Sequence, residues 1–214
     1  MKQFTLTLLF TFLIVAQTTQ IDSLESVLSS GKGTTETKYT LALLYHDEVA
    51  KEENGDYTDR AEELFKEVLT EDKTNAMALA YYGSLMTLMG RDAFLPWNKM
   101  KYVEQGCDKM DKAITIQPDN ITIRMTRAMN NVNLPDFFNR IGYILEDFKY
   151  LRENQAFSSF DTSMQTEIFF YSGVTYEKND EVLKAKEMYK KAVETGSKTQ
   201  LVARAQEALS DLSE

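Results

Sequence analysis

The chain has 214 residues, a formal net charge of −9, one histidine and one cysteine. With 43% hydrophobic and 27% charged residues it is too apolar for a disordered polymer, so we expect a buried core. Because Cys107 and His46 are the only residues of their types, an intramolecular disulfide and a zinc site of several cysteines or histidines are excluded. The acidic balance disfavours nucleic acid as a partner.

Residues 1–20 are predicted to be a secretory signal peptide. Lys2 precedes an apolar run over 4–16, and a polar stretch over 17–20 follows it. This run is shorter than the ~20 apolar residues of a membrane-spanning helix, and the leader lacks the arginines of a mitochondrial presequence. We expect cleavage between Ala16 and Gln20, export to the periplasm or the extracellular space, and no stable membrane insertion afterwards. An uncleaved anchor is the alternative.

Residues 21–35, which follow the leader, are predicted to be a flexible linker.

The single thiol, Cys107, is expected to be buried if the chain is exported. An exposed thiol would be oxidised in an oxidising compartment.

From residue 36 onward the pattern predicts helices only. Apolar residues recur at steps of three and four, and polar breaks divide the chain into about nine amphipathic segments. Pro96 and Pro135 are each predicted in the first turn of a helix, and Ser159 or Asp161 is predicted to cap the seventh helix. The fold class is therefore predicted as all-α.

The segments also repeat in pairs. The last pair carries aromatic and small residues at fixed offsets, and the second pair repeats them less regularly. In the last pair these residues are Phe169, Ser172, Gly173, Tyr176, Ala185, Tyr189 and Ala192. In the second pair they are Leu79, Tyr82, Gly83, Met86, Gly106, Met110, Ala113 and Pro118. A small residue at the crossing of two antiparallel helices allows close packing, and aromatic rings fill the space beside it.

These residues resemble the marks of the tetratricopeptide repeat (TPR) superfamily. The resemblance implies an α-solenoid of four helix pairs, at about 36–73, 74–118, 119–155 and 160–197, with a capping helix at 199–213. The chain would be a divergent exported member with long insertions inside its repeats. Repeat lengths also overlap those of HEAT or armadillo solenoids, which remain the alternative.

The insertions are expected between the two helices of a pair. Gly83 and Gly106 are 23 residues apart, whereas Gly173 and Ala185 are 12 apart. The longest insertion, 91–105, contains Phe94 and the single tryptophan, Trp97. Insertions in solenoids lie on one face, which is often the binding face.

The TPR resemblance also implies a binding surface. In that family the first helix of each pair lines a concave face, and register places eight contact residues there: Tyr39, Leu43, Met77, Ser84, Met125, Met129, Phe170 and Val174. Methionine adapts to varied apolar ligands. Core packing is the alternative for this apolar stripe.

No catalytic constellation is recognised. His46 lies on a repeat helix without a nucleophile motif, and Glu146 with Asp147 is interpreted as a solvated helix face. We therefore predict a non-enzymatic protein–protein interaction module, without metal or cofactor, that binds a partner peptide or helix on its concave face. The alternative is a carrier of a small apolar ligand or lipid, with 91–105 as its lid.

Overall fold

The computed structural model describes residues 19–51, 55–196 and 200–213. These residues form ten α-helices and no strand, which confirms the all-α prediction. The helices are α1 (19–29), α2 (Thr35–Lys51), α3 (Gly55–Glu71), α4 (Ala76–Asp92), α5 (Pro96–Ile116), α6 (Ile121–Val132), α7 (Ile141–Glu153), α8 (Thr162–Lys178), α9 (Val182–Thr195) and α10 (Gln200–Asp211). In this part of the chain no helix is both long and apolar enough to cross a bilayer.

The chain divides into two compact units, Met1–Ile116 and Gln117–Glu214. In the N-terminal unit the most extensive packing joins α2 to α3 and α4 to α5, as expected for two helix pairs. Its core contains Leu41, Leu64, Phe65 and Leu85, each at most 1% exposed. Cys107 is also buried, as the sequence analysis required of a single thiol in an oxidising compartment.

Helices α4 and α5 of the N-terminal unit approach closely at Gly83 and Gly106. A Cβ atom placed on Gly83 would lie 2.6 Å from the carbonyl oxygen of Gly106, and one on Gly106 would lie 2.5 Å from that of Gly83. Only glycine at both positions allows the two backbones to come so close. The predicted crossing position is therefore a true contact of the pair.

The segment predicted as a linker is partly helical. Within 21–35, residues 21–29 belong to α1, which buries Ile21 and packs Leu24 and Leu28 against the core. Glu25 accepts hydrogen bonds from Arg60 of α3 and from the Tyr45 hydroxyl of α2, and the Arg60 guanidinium lowers the pKa of Glu25. The linker prediction was wrong over 21–29, because residues 21, 24 and 28 have helical spacing and form one apolar face that packs against the core.

The predicted insertion 91–105 is largely helical. Helix α4 continues to Asp92, a turn covers 93–95, and α5 begins at Pro96, as predicted for this proline. The extra residues therefore lengthen α5 to 21 residues.

In the C-terminal unit α6 pairs with α7 and α8 with α9, and α10 packs on both α8 and α9. Asp161 caps α8 as predicted, because its side chain accepts a hydrogen bond from the Met164 amide. Pro135 differs from its prediction: it precedes a short 3-10 turn, Asp136–Phe138, and α7 begins only at Ile141. Gly173 lies against the ring of Tyr189, where a Cβ atom would be 2.6 Å from Cδ1.

The glycine crossing generates a stability prediction. We expect Gly83→Ala to lower the free energy of unfolding of the N-terminal unit by about 1–3 kcal/mol, because the added methyl group must displace backbone. Denaturant titration and hydrogen exchange of the α4 and α5 amides would measure this loss.

Gly142→Ala is the matched control. Gly142 is also helical, but a Cβ atom there would meet nothing within 4 Å. Alanine should therefore leave stability unchanged or raise it by about 0.5–1 kcal/mol through helix propensity. Equal effects of the two substitutions would contradict the close crossing.

Candidate functional site

The predicted contact residues of the N-terminal unit differ in exposure. Tyr39, Leu43 and Met77 are half-buried, whereas Ser84 is buried. The Tyr39 hydroxyl is enclosed and has no hydrogen-bond partner among the described residues, and burial raises the pKa of Tyr39. Leu43 and Tyr39 pack at the edge of the core. Of these four predicted contact residues, only the three half-buried ones can therefore contact a partner.

Ser84 is held by His46. The two side chains lie between α2 and α4, with His46 Nε2 and Ser84 Oγ 2.8 Å apart, and His46 Nδ1 is 3.3 Å from a carboxylate oxygen of Asp47. The order of groups is that of a Ser-His-Asp triad, but Ser84 is only 5% exposed. A substrate carbonyl has no access to an oxygen buried in a helix contact. The arrangement satisfies the buried imidazole, whose ring also meets Tyr81 edge-on.

The predicted contact residues of the C-terminal unit also divide in two. Met125 and Met129 of α6 and Val174 of α8 are half-buried and pack on the margins of the apolar clusters. Phe170 is 2% exposed, because Tyr189 packs beside it and the Arg204 guanidinium of α10 lies 4.7 Å from its ring centre. Phe170 therefore belongs to the packing of α8 under the terminal helix.

An open cavity of about 490 Å³ lies where α8, α9 and α10 meet. Phe170, Val174 and Tyr189 form its apolar wall, and Glu177, Lys178, Arg204, Glu207 and Asp211 lie around it. The Tyr189 hydroxyl donates a hydrogen bond to Glu177 at 2.7 Å. Charged side chains therefore surround a cavity whose exposed lining is mainly apolar.

Among the described residues of the N-terminal unit, the most exposed apolar side chains lie in the turn between α4 and α5 and at the start of α5. Phe94 is 93% exposed, Trp97 65% and Met100 45%. A second open cavity, of about 470 Å³, lies beside the turn and is lined by Met89, Phe94, Leu95, Tyr102 and the acidic residues Asp59 and Asp92, among others. We call Phe94, Leu95, Trp97 and Met100 the apolar tip. The repeat pattern had singled out Phe94 and Trp97, and the structure places both at the surface.

A buried charge cluster in the C-terminal unit was missed from the sequence. Asp147 of α7 is fully buried and accepts hydrogen bonds from Arg124 at 2.8 Å and from Arg127 at 2.7 and 2.9 Å. Arg124 also donates to the Pro118 carbonyl, and Glu146 pairs with the same arginine at 3.1 Å. The interpretation of Asp147 as part of a solvated face was wrong.

The cluster has a structural role, because it joins α6 to α7. Besides its bonds to the two carboxylates and the Pro118 carbonyl, Arg124 lies 4.2 Å from the ring centre of Tyr150 in the same unit. The signal in the sequence was the position of Arg124 and Arg127, three residues apart and adjacent to the buried positions Ile123 and Ala128. No group of three or more potential metal ligands occurs among the residues that the structure describes.

Comparison with known proteins yields matches at the level of structure only. No family model and no curated protein matches the chain. TTC0263, a thermophilic TPR protein of Thermus thermophilus, is 16% identical, with coverage of 98% of this chain and 99% of that one and a TM-score of 0.65. YrrB, described as a TPR protein with an unusual peptide-binding site, is 16% identical over 91% and 85% of the two chains, with a TM-score of 0.59. The chain has a TPR-like fold.

A third similar structure, MamA, is 18% identical and covers 82% of this chain and 85% of its own, with a TM-score of 0.57. These matches favour the TPR-like solenoid over the HEAT and armadillo alternatives. In TPR terms, α2, α4, α6 and α8 are the first helices of the four pairs, and they carry all eight predicted contact residues. At these identities the likeness establishes the fold and leaves the partner open.

The buried cluster generates the second prediction. We expect Asp147→Asn to lower the free energy of unfolding by about 3–5 kcal/mol, because two buried guanidinium groups lose their counter-charge. Thermal and urea unfolding would measure the loss, and hydrogen exchange in α6 and α7 would locate it.

Glu146→Gln is the neighbouring control. Glu146 contacts the same arginines, but its side chain is 58% exposed. Its loss should cost only about 0–1 kcal/mol, the usual value of a solvated ion pair. A similar loss of stability in both variants would show that burial of Asp147 does not govern the cluster.

Proposed function

We propose that this protein is a non-enzymatic protein–protein interaction module whose first helices bind an apolar peptide or helix of a partner protein. The TPR-like fold supports this proposal, since stacked helix pairs expose a long surface of repeated composition. The buried position of Ser84 and the recessed, paired charges of Asp147 support a role without catalysis. The partner peptide is then recognised through its shape and through apolar contacts.

The observation that carries the proposal is the pair Met125 and Met129 on α6. They are one helical turn apart, half-buried, and supported from beneath by a fully packed cluster that includes Ala128 and Phe148. A partner therefore meets flexible side chains on a rigid base, which suits apolar peptides of varied sequence. Val174 on α8, and Leu43 and Met77 in the N-terminal unit, supply similar half-buried apolar positions.

The third prediction tests this surface. Peptides selected from a displayed random library on the purified protein should be apolar at spaced positions, and a fluorescent copy should bind with a measurable anisotropy change. Met125→Gln and Met129→Gln should each weaken that binding about tenfold, because they remove apolar contact while keeping side-chain length and helix propensity. Circular dichroism would check that both variants keep their helices.

Leu183→Gln is the control, because Leu183 is 85% exposed on α9, a second helix of its pair. It should leave peptide affinity unchanged. Peptides that bind both methionine variants as well as the unaltered protein would remove the first-helix surface from the proposal. Phe170 is unsuitable for this test, since its burial makes loss of fold and loss of binding indistinguishable.

A carrier of a small apolar ligand is less well supported. The cavity beside the apolar tip has a volume in the range of ligand sites. However, the segment 91–105 consists of two helix ends and a three-residue turn, so no long segment remains to close over a ligand. Acidic side chains also line this cavity, and they disfavour a lipid tail.

We further propose that the module acts in the cell envelope or the secreted space. The leader pattern supports this location, although residues 1–18 lie outside the described part of the chain. The fourth prediction is that protein recovered from the periplasm or the medium begins after a residue between Ala16 and Gln20, as N-terminal sequencing would measure. Leu9→Arg should retain the precursor, because a charge interrupts the apolar region. A mature protein in the cytoplasm with an intact N-terminus would contradict export.

A further inference from the structure

The apolar tip is unusual because its side chains project from the fold. Phe94 and Trp97 are 93% and 65% exposed, and Met100, one turn along α5 from Trp97, is 45% exposed. Such large apolar groups seldom cluster on a surface that meets only water. Phe94 and Leu95 line the cavity beside the turn, whereas Trp97 and Met100 lie outside it.

The segment that carries the tip has a net charge opposite to that of the protein, and Asp59 of α3 is the acidic side chain from another helix that lines the cavity beside it. Residues 91–102 contain three basic side chains and one acidic side chain, in a chain of net charge −9. Arg91 is paired with Asp92, whose carboxylate lies 2.6 Å from its guanidinium. Lys99 donates to the Arg91 carbonyl, and both Lys99 and Lys101 are exposed and form no ion pair with a described residue. Two positive charges therefore flank the tip without neutralisation.

From these observations we infer that the apolar tip docks on the surface of an anionic phospholipid bilayer. Phe94 and Trp97 enter the boundary between headgroups and acyl chains, and Lys99 and Lys101 contact the lipid phosphates. A bilayer interface accepts projecting aromatic side chains without a complementary pocket, whereas a protein hot spot is normally a packed recess. The excess of lysine without a carboxylate partner favours an anionic surface over a neutral one.

Helix geometry is consistent with aromatic side chains that enter the bilayer more deeply than the lysine ammonium groups. Lys101 follows Trp97 by four residues on the same face of α5, about 6 Å along the helix axis. Its aliphatic stem lies beside the apolar side chains while its ammonium group reaches the headgroups. The next carboxylate on this face, Glu104, lies about 10 Å from Trp97 along the axis and stays outside the shallow interfacial layer.

The chain carries its own reporter for this contact, since Trp97 is the single tryptophan. The protein is purified after export and mixed with vesicles of phosphatidylglycerol and phosphatidylcholine, or of phosphatidylcholine alone. We expect co-sedimentation with the mixed vesicles, a blue shift of Trp97 emission and protection of Trp97 from acrylamide. Binding to phosphatidylcholine alone should be weaker, and added salt should weaken binding to the mixed vesicles.

The fifth prediction concerns variants of the tip. Phe94→Ser should lower the vesicle partition coefficient at least tenfold, and Lys99→Gln and Lys101→Gln about fivefold each. The near-complete exposure of Phe94 means that its loss leaves the fold intact. Leu183→Ser, at a highly exposed apolar position on α9, should not change the partition coefficient.

Three results would overturn the inference. The first is an unshifted Trp97 emission with both kinds of vesicle, and the second is vesicle binding that persists unchanged in Phe94→Ser. The third is a blue shift that appears with the selected peptides and not with vesicles, which assigns the tip to a protein partner. The tip and the first-helix surface are tested by different variants, so the failure of either proposal leaves the other intact.

Discussion

The close contact between paired antiparallel helices is the constraint on which the rest of this structure depends. Gly83 and Gly106 add no side chain of their own to the crossing of α4 and α5, and the carbonyl oxygen of each residue lies 2.5–2.6 Å from where a Cβ atom of the other would stand. In the C-terminal unit Gly173 gives the same room to the ring of Tyr189. Once the two helices of a pair are this close, their apolar faces are buried against each other and their outer faces are fixed.

This packing separates apolar residues that hold the fold from those that remain for recognition. Phe170 and Met125 both lie on first helices and both fit the same predicted register. Phe170 is covered by Tyr189 and Arg204, whereas Met125 stays half-buried at the edge of its cluster. The proposed peptide surface therefore consists of the residues that the paired helices support without covering. The apolar tip is the opposite case, since Phe94 in the turn and Trp97 and Met100 at the start of α5 are exposed to solvent.

Charge is used differently in the interior and at the surface. Arg124, Arg127 and Asp147 form an enclosed network in which each hydrogen bond compensates lost hydration, and its value lies in fixing α6 against α7. Lys99 and Lys101 lie in water next to aromatic side chains and keep their charge available. The first arrangement stabilises the unit, and the second favours contact with an anionic surface. Both are compatible with the proposed interaction module.

The sequence by itself determined the helical class, the pairing of the helices and the small residues at their crossings, because period and spacing are local properties of the chain. It also indicated Phe94 and Trp97, since an insertion with aromatic residues is visible as a departure from the repeat, whereas their exposure was decided by the structure. The prediction of a flexible linker was wrong over 21–29, where an amphipathic helix needs only three apolar contacts to join the core. Tertiary structure alone decided that Asp147 is buried and Glu146 exposed, and that Phe170 is covered while Met125 is accessible. Adjacent residues on a helix point in different directions, and residues in equivalent register meet different neighbours. Burial therefore depends on which distant helix packs against each face, and this information is absent from local sequence.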